Sequence, residues 1–205
     1  MPKLTILVRV LVASLVCCAH AVAQSGFRIA PHIQNINQNS ATLIWETNEA
    51  ELPNIELTRA QTHSYFEAES DGPSKIHRVK LLKLDPGTRN TYVVKSGQDV
   101  QEATFVTAPE GDQEMTFVVT GDSRRWDNRW TETGMDQHVL QWNADVYVTM
   151  GDLVRDGHQY EQWPEHFARF HSLTQSKWFV TARGNHEGSL VRNIKDDWFA
   201  KYHEL

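Results

Sequence analysis

The chain has 205 residues, 40% hydrophobic and 22% charged, with a formal net charge of -6; that is room for one large domain or two small ones of ordinary globular composition. The acidic balance and the lack of any long Lys/Arg run exclude the basic face of a nucleic-acid binder. Both cysteines, Cys17 and Cys18, lie near the N-terminus, so the body of the chain carries no disulfide and must be held by its core or by metal.

Residues 1–23 read as a signal peptide. Cationic Lys3 and Arg9 precede an apolar run from Val10 to Cys18, broken only by Ser14, and Ala21-Val22-Ala23 has the small-x-small pattern of a cleavage site. The apolar run is too short to span a bilayer comfortably, and no later segment approaches the length of a transmembrane helix. The protein is therefore expected to be exported: periplasmic, at the cell surface, or secreted.

From Phe27 to Ala108 short β-prone runs alternate with turn residues. "ATLIWE" puts Leu43 and Trp45 on one face and Thr42, Ile44 and Glu46 on the other. In "LDPGT", Pro86 presets φ and Gly87 tolerates φ > 0. Glu67 to Lys75 is polar and reads as a loop. The spacing predicts an antiparallel β-sandwich over residues 24–108. "TAPEGDQE", Thr107 to Glu114, is polar and marks a boundary. Beyond it, in 109–205, the period changes. "MTFVVT", "ADVYVTM" and "KWFVTA" are continuous apolar runs of the kind buried in parallel sheets. Helical stretches are predicted between them at Thr131–Asn143 and at Gln159–Ser172, with Phe167 and Phe170 on one side. The order β-α-β-α-β builds an α/β unit with a parallel sheet and right-handed crossovers.

Each of the three apolar runs ends in glycine and a polar residue: Gly121-Asp122, Gly151-Asp152 and Gly184-Asn185-His186-Glu187. A lone Gly-Asp is a turn, and a lone Asn-His-Glu is a solvated loop. Three in order, each at the tip of a buried strand, share one sheet edge, where α/β ligand sites form. Converging carboxylates repel unless a cation sits between them. Hard oxygen donors with imidazole suit Mn, Fe or Zn.

The series "GDSR", "GDLVRDG", "GNHE" resembles the first three blocks of the calcineurin-like metallophosphoesterases. The leader and a sandwich ending in "FVTAPE" resemble the purple acid phosphatase branch, whose N-terminal domain is similar to fibronectin type III. The resemblance implies a phosphate-ester substrate and two divalent or trivalent metal ions (Fe, Mn or Zn). It implies that Asp122 binds the first metal, Asp152 bridges both, and Asn185 binds the second. His186 would face the leaving group or phosphate as general acid or charge stabiliser, and Glu187 would orient it. Such a pair of metals clamps a phosphoryl group and activates a water for in-line attack.

The chain departs from the family at two ligand positions. Arg124 stands where the family has histidine, and Arg155 where purple acid phosphatases have the tyrosinate ligand. No tyrosinate charge-transfer band is expected, and both arginines are candidates to grip phosphate. The family's further histidines come from a second half of the sheet, whereas only His203 follows Glu187. The sequence is therefore expected to be a fragment of a longer enzyme, with an apolar sheet face left open. The competing function is a non-catalytic surface module with a decayed phosphoesterase half. Among other residues, His138, His158, His166 and His171 are read as solvated or satisfied histidines, and Asp156 as a turn cap or a support for the site. Trp126, Trp130 and Trp163 are read as packing or cleft residues. Asn90 takes the place of the family's corner tyrosine, with Tyr92 as its substitute.

Overall fold

The computed structural model describes residues 26–58, 65–69, 72–124, 141–188 and 197–203. The expected leader, most of the helix expected at 131–143, and Trp126, Trp130 and His138 lie outside the described residues.

Seven antiparallel strands form two sheets. One has the order β1 (Phe27–Gln34), β2 (Ser40–Glu51), β5 (Ser74–Leu82), β4 (Tyr65–Ala68); the other has β3 (Ile55–Thr58), β6 (Arg89–Ser96), β7 (Asp99–Val106). This four-plus-three arrangement is that of an immunoglobulin-like sandwich, an architecture shared by fibronectin type III domains. The stretch expected as a loop at 67–75 is strand at both ends, because β4 runs to Ala68 and β5 starts at Ser74. The Pro86-Gly87 turn forms as read, with Gly87 at φ 59°. Ile33, Leu43, Trp45, Val79, Leu81, Val94 and Phe105 fill the space between the sheets. The corner bond falls to Asn90, whose Nδ2 donates to the Thr88 carbonyl at 2.8 Å. Tyr92 instead reaches out of the sandwich, its hydroxyl donating to the Gln175 carbonyl at 2.8 Å.

A parallel sheet follows, in the order β10 (Trp178–Thr181), β9 (Val146–Thr149), β8 (Phe117–Thr120). Its strands are in strict register: Phe117 and Trp178 both pair with Val146, and Thr120 and Thr181 both pair with Thr149. The helix α1 (Gln162–Thr174) covers one face, where its Phe170 and Leu173 pack with Val118, Tyr147 and Phe179. It starts later than the pattern predicts because Gln159 to Glu161 turn more tightly: the Gln162 and Trp163 amides donate to the Gln159 and Tyr160 carbonyls, both at 3.1 Å. Phe117, Val119 and Met150 are exposed.

The two parts share a seam. Ile29 of β1 packs into a cluster with Leu153, Val154, Trp163 and Phe167, joined by Phe199 and Tyr202 of the short helix α2 (Trp198–Tyr202). His32 stacks on Phe167 at 4.2 Å. Glu46 accepts from the Tyr160 hydroxyl at 2.5 Å and the Tyr202 hydroxyl at 2.8 Å, which satisfies a carboxylate that burial would otherwise penalise. Thus the polar face of β2 is not a solvent face: every residue from Ala41 to Thr47 is buried. Each large side chain enclosed here contributes about 1.5–3 kcal/mol.

Candidate active site

The registered strands carry their C-terminal ends to one edge, and backbone bonds continue beyond them. The Met150 amide donates to the Thr120 carbonyl at 2.9 Å, Ala182 to Thr149 at 2.9 Å, Asp122 to Gly151 at 3.2 Å, and Arg124 to Asp152 at 3.0 Å. These bonds bring Asp122, Asp152 and the 184–187 turn together. Asp122 and Asp152 both adopt left-handed backbone, φ 52° and 56°, a conformation that aspartate tolerates better than most residues.

Gly151 and Gly184 are both required by close approach. A Cβ on Gly151, at φ 91°, would lie 2.4 Å from the Gly184 nitrogen; one on Gly184 would lie 2.2 Å from Oδ1 of Asp152. The second and third strand tips therefore touch through their backbones. Gly121 differs, since a Cβ there would meet only Met150 at 3.6 Å.

Glu187 is buried and holds this junction. Its carboxylate accepts from four backbone amides: Asp152 at 2.8 Å, Gly184 at 2.9 Å, Leu153 at 2.7 Å and Val154 at 3.1 Å. The ring of His186 is held elsewhere than the resemblance implies, with Nδ1 2.5 Å from the Arg155 carbonyl oxygen. A carbonyl only accepts, so Nδ1 carries a proton and Nε2 is the ring nitrogen left to face Asp152. Nε2 lies 4.0 Å from Oδ2 of Asp152, and the His186 amide donates to Oδ1 of Asp152 at 3.1 Å. Asn185, exposed at the turn, lies between two residues that both touch Asp152.

Arg124 reaches into the site. Its Nη1 donates to Oδ1 of Asp122 at 2.6 Å and to Oδ2 of Asp152. The Asp122 side chain is 73% exposed and that of Asp152 only 13%. Arg155 is exposed and contributes its backbone, with its amide donating to Oε1 of Gln162 at 2.9 Å. The other sequence candidates resolve into support. Asp156 caps its own turn through the His158 amide at 3.0 Å. Trp163 is packing, fully buried with Nε1 on the Gly157 carbonyl at 3.0 Å.

Three supporting residues carry little sequence signal. Arg169 of α1 donates to the Ser123 carbonyl at 2.9 Å and steadies the first tip. Gln162 holds the amides of Arg155 and Asp156. Gly157 lets the Glu187 backbone approach to where a Cβ would sit, 2.7 Å from its Cα. Only Gly157, following Asp156 in a turn pair, could have been noticed.

The donor set decides which metal arrangement fits. Asp152 with Asn185 offers hard oxygen donors of the kind a divalent or trivalent cation takes. The pair of ions implied by the resemblance does not fit equally well, because a guanidinium nitrogen stands between the two carboxylates. Among the described residues, no group of three or more His, Cys, Asp and Glu side chains could hold a metal ion.

Two acidic strand tips and a histidine turn thus meet at one edge of a parallel sheet that packs against a β-sandwich. No protein-family model matches the chain. In sequence it is similar to an Arabidopsis thaliana protein called "Probable purple acid phosphatase 20", 24% identical over 187 residues, covering 84% of this chain and 42% of that protein. In structure it is similar to the purple acid phosphatase PPD1 of yellow lupin (Lupinus luteus) seeds, with TM-score 0.59, 19% identity, and 82% of this chain and 38% of that one covered. It is also similar to PhoD, with TM-score 0.57, 12% identity, and coverage of 78% and 39%. The chain is thus purple acid phosphatase-like, and it spans less than half the length of each of these relatives.

Proposed function

We propose that the protein is an exported, metal-dependent phosphoesterase that hydrolyses phosphomonoesters or phosphodiesters. Residues 24–108 serve as its sandwich domain, and residues 109–205 form the N-terminal part of its catalytic domain. The observation that carries this reading is the registered parallel sheet whose three tips bring Asp122, Asp152 and Asn185-His186 to one edge. The likeness to phosphatases supports it. Among the described residues, no helix is long and apolar enough to cross a membrane.

A cation held by Asp152 and Asn185 would neutralise phosphate charge and lower the pKa of a bound water. The chain's own residues do the rest. Glu187 fixes the backbone of residues 152–154 and Gly184, so the donors are set before substrate arrives. With Nδ1 tied to the Arg155 carbonyl, His186 points Nε2 into the site; protonated there, it donates to the leaving oxygen, and otherwise it accepts a hydrogen bond from substrate. Arg155 lies at the rim, where a guanidinium can pair with phosphate oxygens.

The test is release of nitrophenol from p-nitrophenyl phosphate and bis(p-nitrophenyl) phosphate by the whole natural protein with Mn, Fe or Zn. Asp152→Asn is expected to lower the rate at least about 100-fold while leaving the circular dichroism unchanged. Activity that survives this change overturns the site.

A further inference from the structure

We propose that Arg124 is a resident cation that takes the place of one metal ion, so that this site holds a single metal ion. The inference rests on the metal-dependent reading above and departs from the two-ion centre that the family resemblance implies.

The geometry is that of a bridge. One nitrogen, Nη1 of Arg124, contacts Oδ1 of Asp122 at 2.6 Å and also Oδ2 of Asp152. These are the two carboxylates between which a first metal would have to stand. Adjacent carboxylates need a positive charge to remain ionised together. Arginine supplies that charge permanently, because a guanidinium does not lose its proton in proteins. It also has no lone pair to offer a metal. At this position it therefore competes with a cation, where a histidine would bind one.

The side chain is also held in place. Its backbone amide is bonded to the Asp152 carbonyl at 3.0 Å, and the carbonyl of the preceding residue, Ser123, is held by Arg169 at 2.9 Å. The Arg124 side chain is 25% exposed, and it faces a carboxylate that is largely enclosed. Ion pairs on open surfaces contribute little. This one is different, since removing the cation would leave Asp152 enclosed beside another carboxylate. The other oxygen of Asp152, Oδ1, is already occupied by the His186 amide at 3.1 Å.

The experiment is a count of ions. The whole natural protein is loaded with Mn(II), freed of excess, and assayed by elemental analysis and electron paramagnetic resonance. One ion per chain is expected, with the six-line spectrum of an isolated Mn(II). Arg124→His is expected to raise the count from one to two and to replace that spectrum with an exchange-coupled one. Two ions in the unmutated protein overturn the resident-cation proposal and leave metal dependence standing. An unmutated protein that takes no ion overturns the metal-dependent reading and this inference with it. Arg124→His protein that folds and stays at one ion overturns the claim that Arg124 excludes the second. The unmutated protein alone decides the stoichiometry, so a variant that fails to fold does not shield the proposal.

Discussion

In the sandwich, β2 runs for twelve residues and is buried on both faces through its middle; in the parallel sheet, each strand has four residues and β8 keeps Phe117 and Val119 exposed. The sandwich closes its own turns locally, with hairpin partners, an Asn90 corner and a Pro-Gly turn, and it reaches across the seam through polar groups such as Glu46 and Tyr92. The parallel sheet depends on distant help: α1 on one face, the sandwich along the seam, and Glu187 reaching back over thirty residues to the amides of residues 152–154. Among the described residues, the candidate site lies at the tips of the short strands and not in the sandwich. The candidate residues sit where close backbone approach and left-handed residues are tolerated because the surroundings over-determine them.

Two glycines with positive φ offer the sharpest way to break that comparison. Gly151→Ala forces a Cβ to within 2.4 Å of the Gly184 backbone, so the second and third tips must separate. A loss of about 3–4 kcal/mol in stability is expected, together with loss of phosphoesterase activity, read by urea unfolding and by turnover. Gly87→Ala places its Cβ no closer than 3.7 Å to Pro109. It should cost only the backbone term, about 1 kcal/mol, with activity untouched. Equal effects at both positions would mean that the site half is no more tightly determined than a sandwich turn.

Between these extremes lies Glu187→Gln. The amide keeps shape and size, yet it turns one acceptor into a donor facing backbone N–H groups. A loss of about 2–3 kcal/mol is expected, with faster hydrogen exchange at the amides of residues 152–154. Unchanged protection there would show that those amides do not depend on the carboxylate.

The seam supplies a prediction in pH. Burial pushes the imidazole of His32 down to about 4 and that of His166 to about 3, from an ordinary 6.5; burial also holds His203 well below that value. Neighbouring Arg78 and His171 push His32 the same way, and Arg169 does so for His166. Unfolded histidine binds a proton as pH drops below 6.5, whereas the folded ring does not until far lower. Stability is thus full above 6.5 and falls as pH descends toward 4, at up to about 1.4 kcal/mol per pH unit for each histidine. His166→Leu should remove one such increment from the slope, measured as urea midpoints at pH 7, 6 and 5. A slope that is unchanged would remove His166 from the account.

Much of this was legible in the chain because it is local. Leu43 and Trp45 alternate, Pro86-Gly87 punctuates, and the three Gly-polar tips follow apolar runs, so both the sandwich and the parallel sheet could be read from the order of residues. Asp122, Asp152 and Asn185 stand out as polar residues at the tips of apolar runs, and the resemblance to the family blocks supplies the roles expected of them. What could not be read depends on what meets what in space. Nothing near Glu46 announces that Tyr160 and Tyr202 will cover it. Nothing near Glu187 says that its oxygens will be taken by amides of the preceding strand tip, leaving the ring of His186 to the Arg155 carbonyl. Arg124 was visible as a departure from the family, but its place between two carboxylates needed the backbone bonds that draw the first two tips together.

The left-handed backbone of Asp122 and Asp152 has a consequence for how this chain can change over time. At each position a β-branched or bulky replacement meets conformational strain before any question of chemistry arises. Glycine and asparagine escape the strain, but they surrender the negative charge. Drift at the two acidic tips is thus filtered twice, whereas Asn185, exposed at its turn and without left-handed backbone, meets no such filter. Change is thus more accessible at Asn185, with the two aspartates held as fixed points by their own backbone.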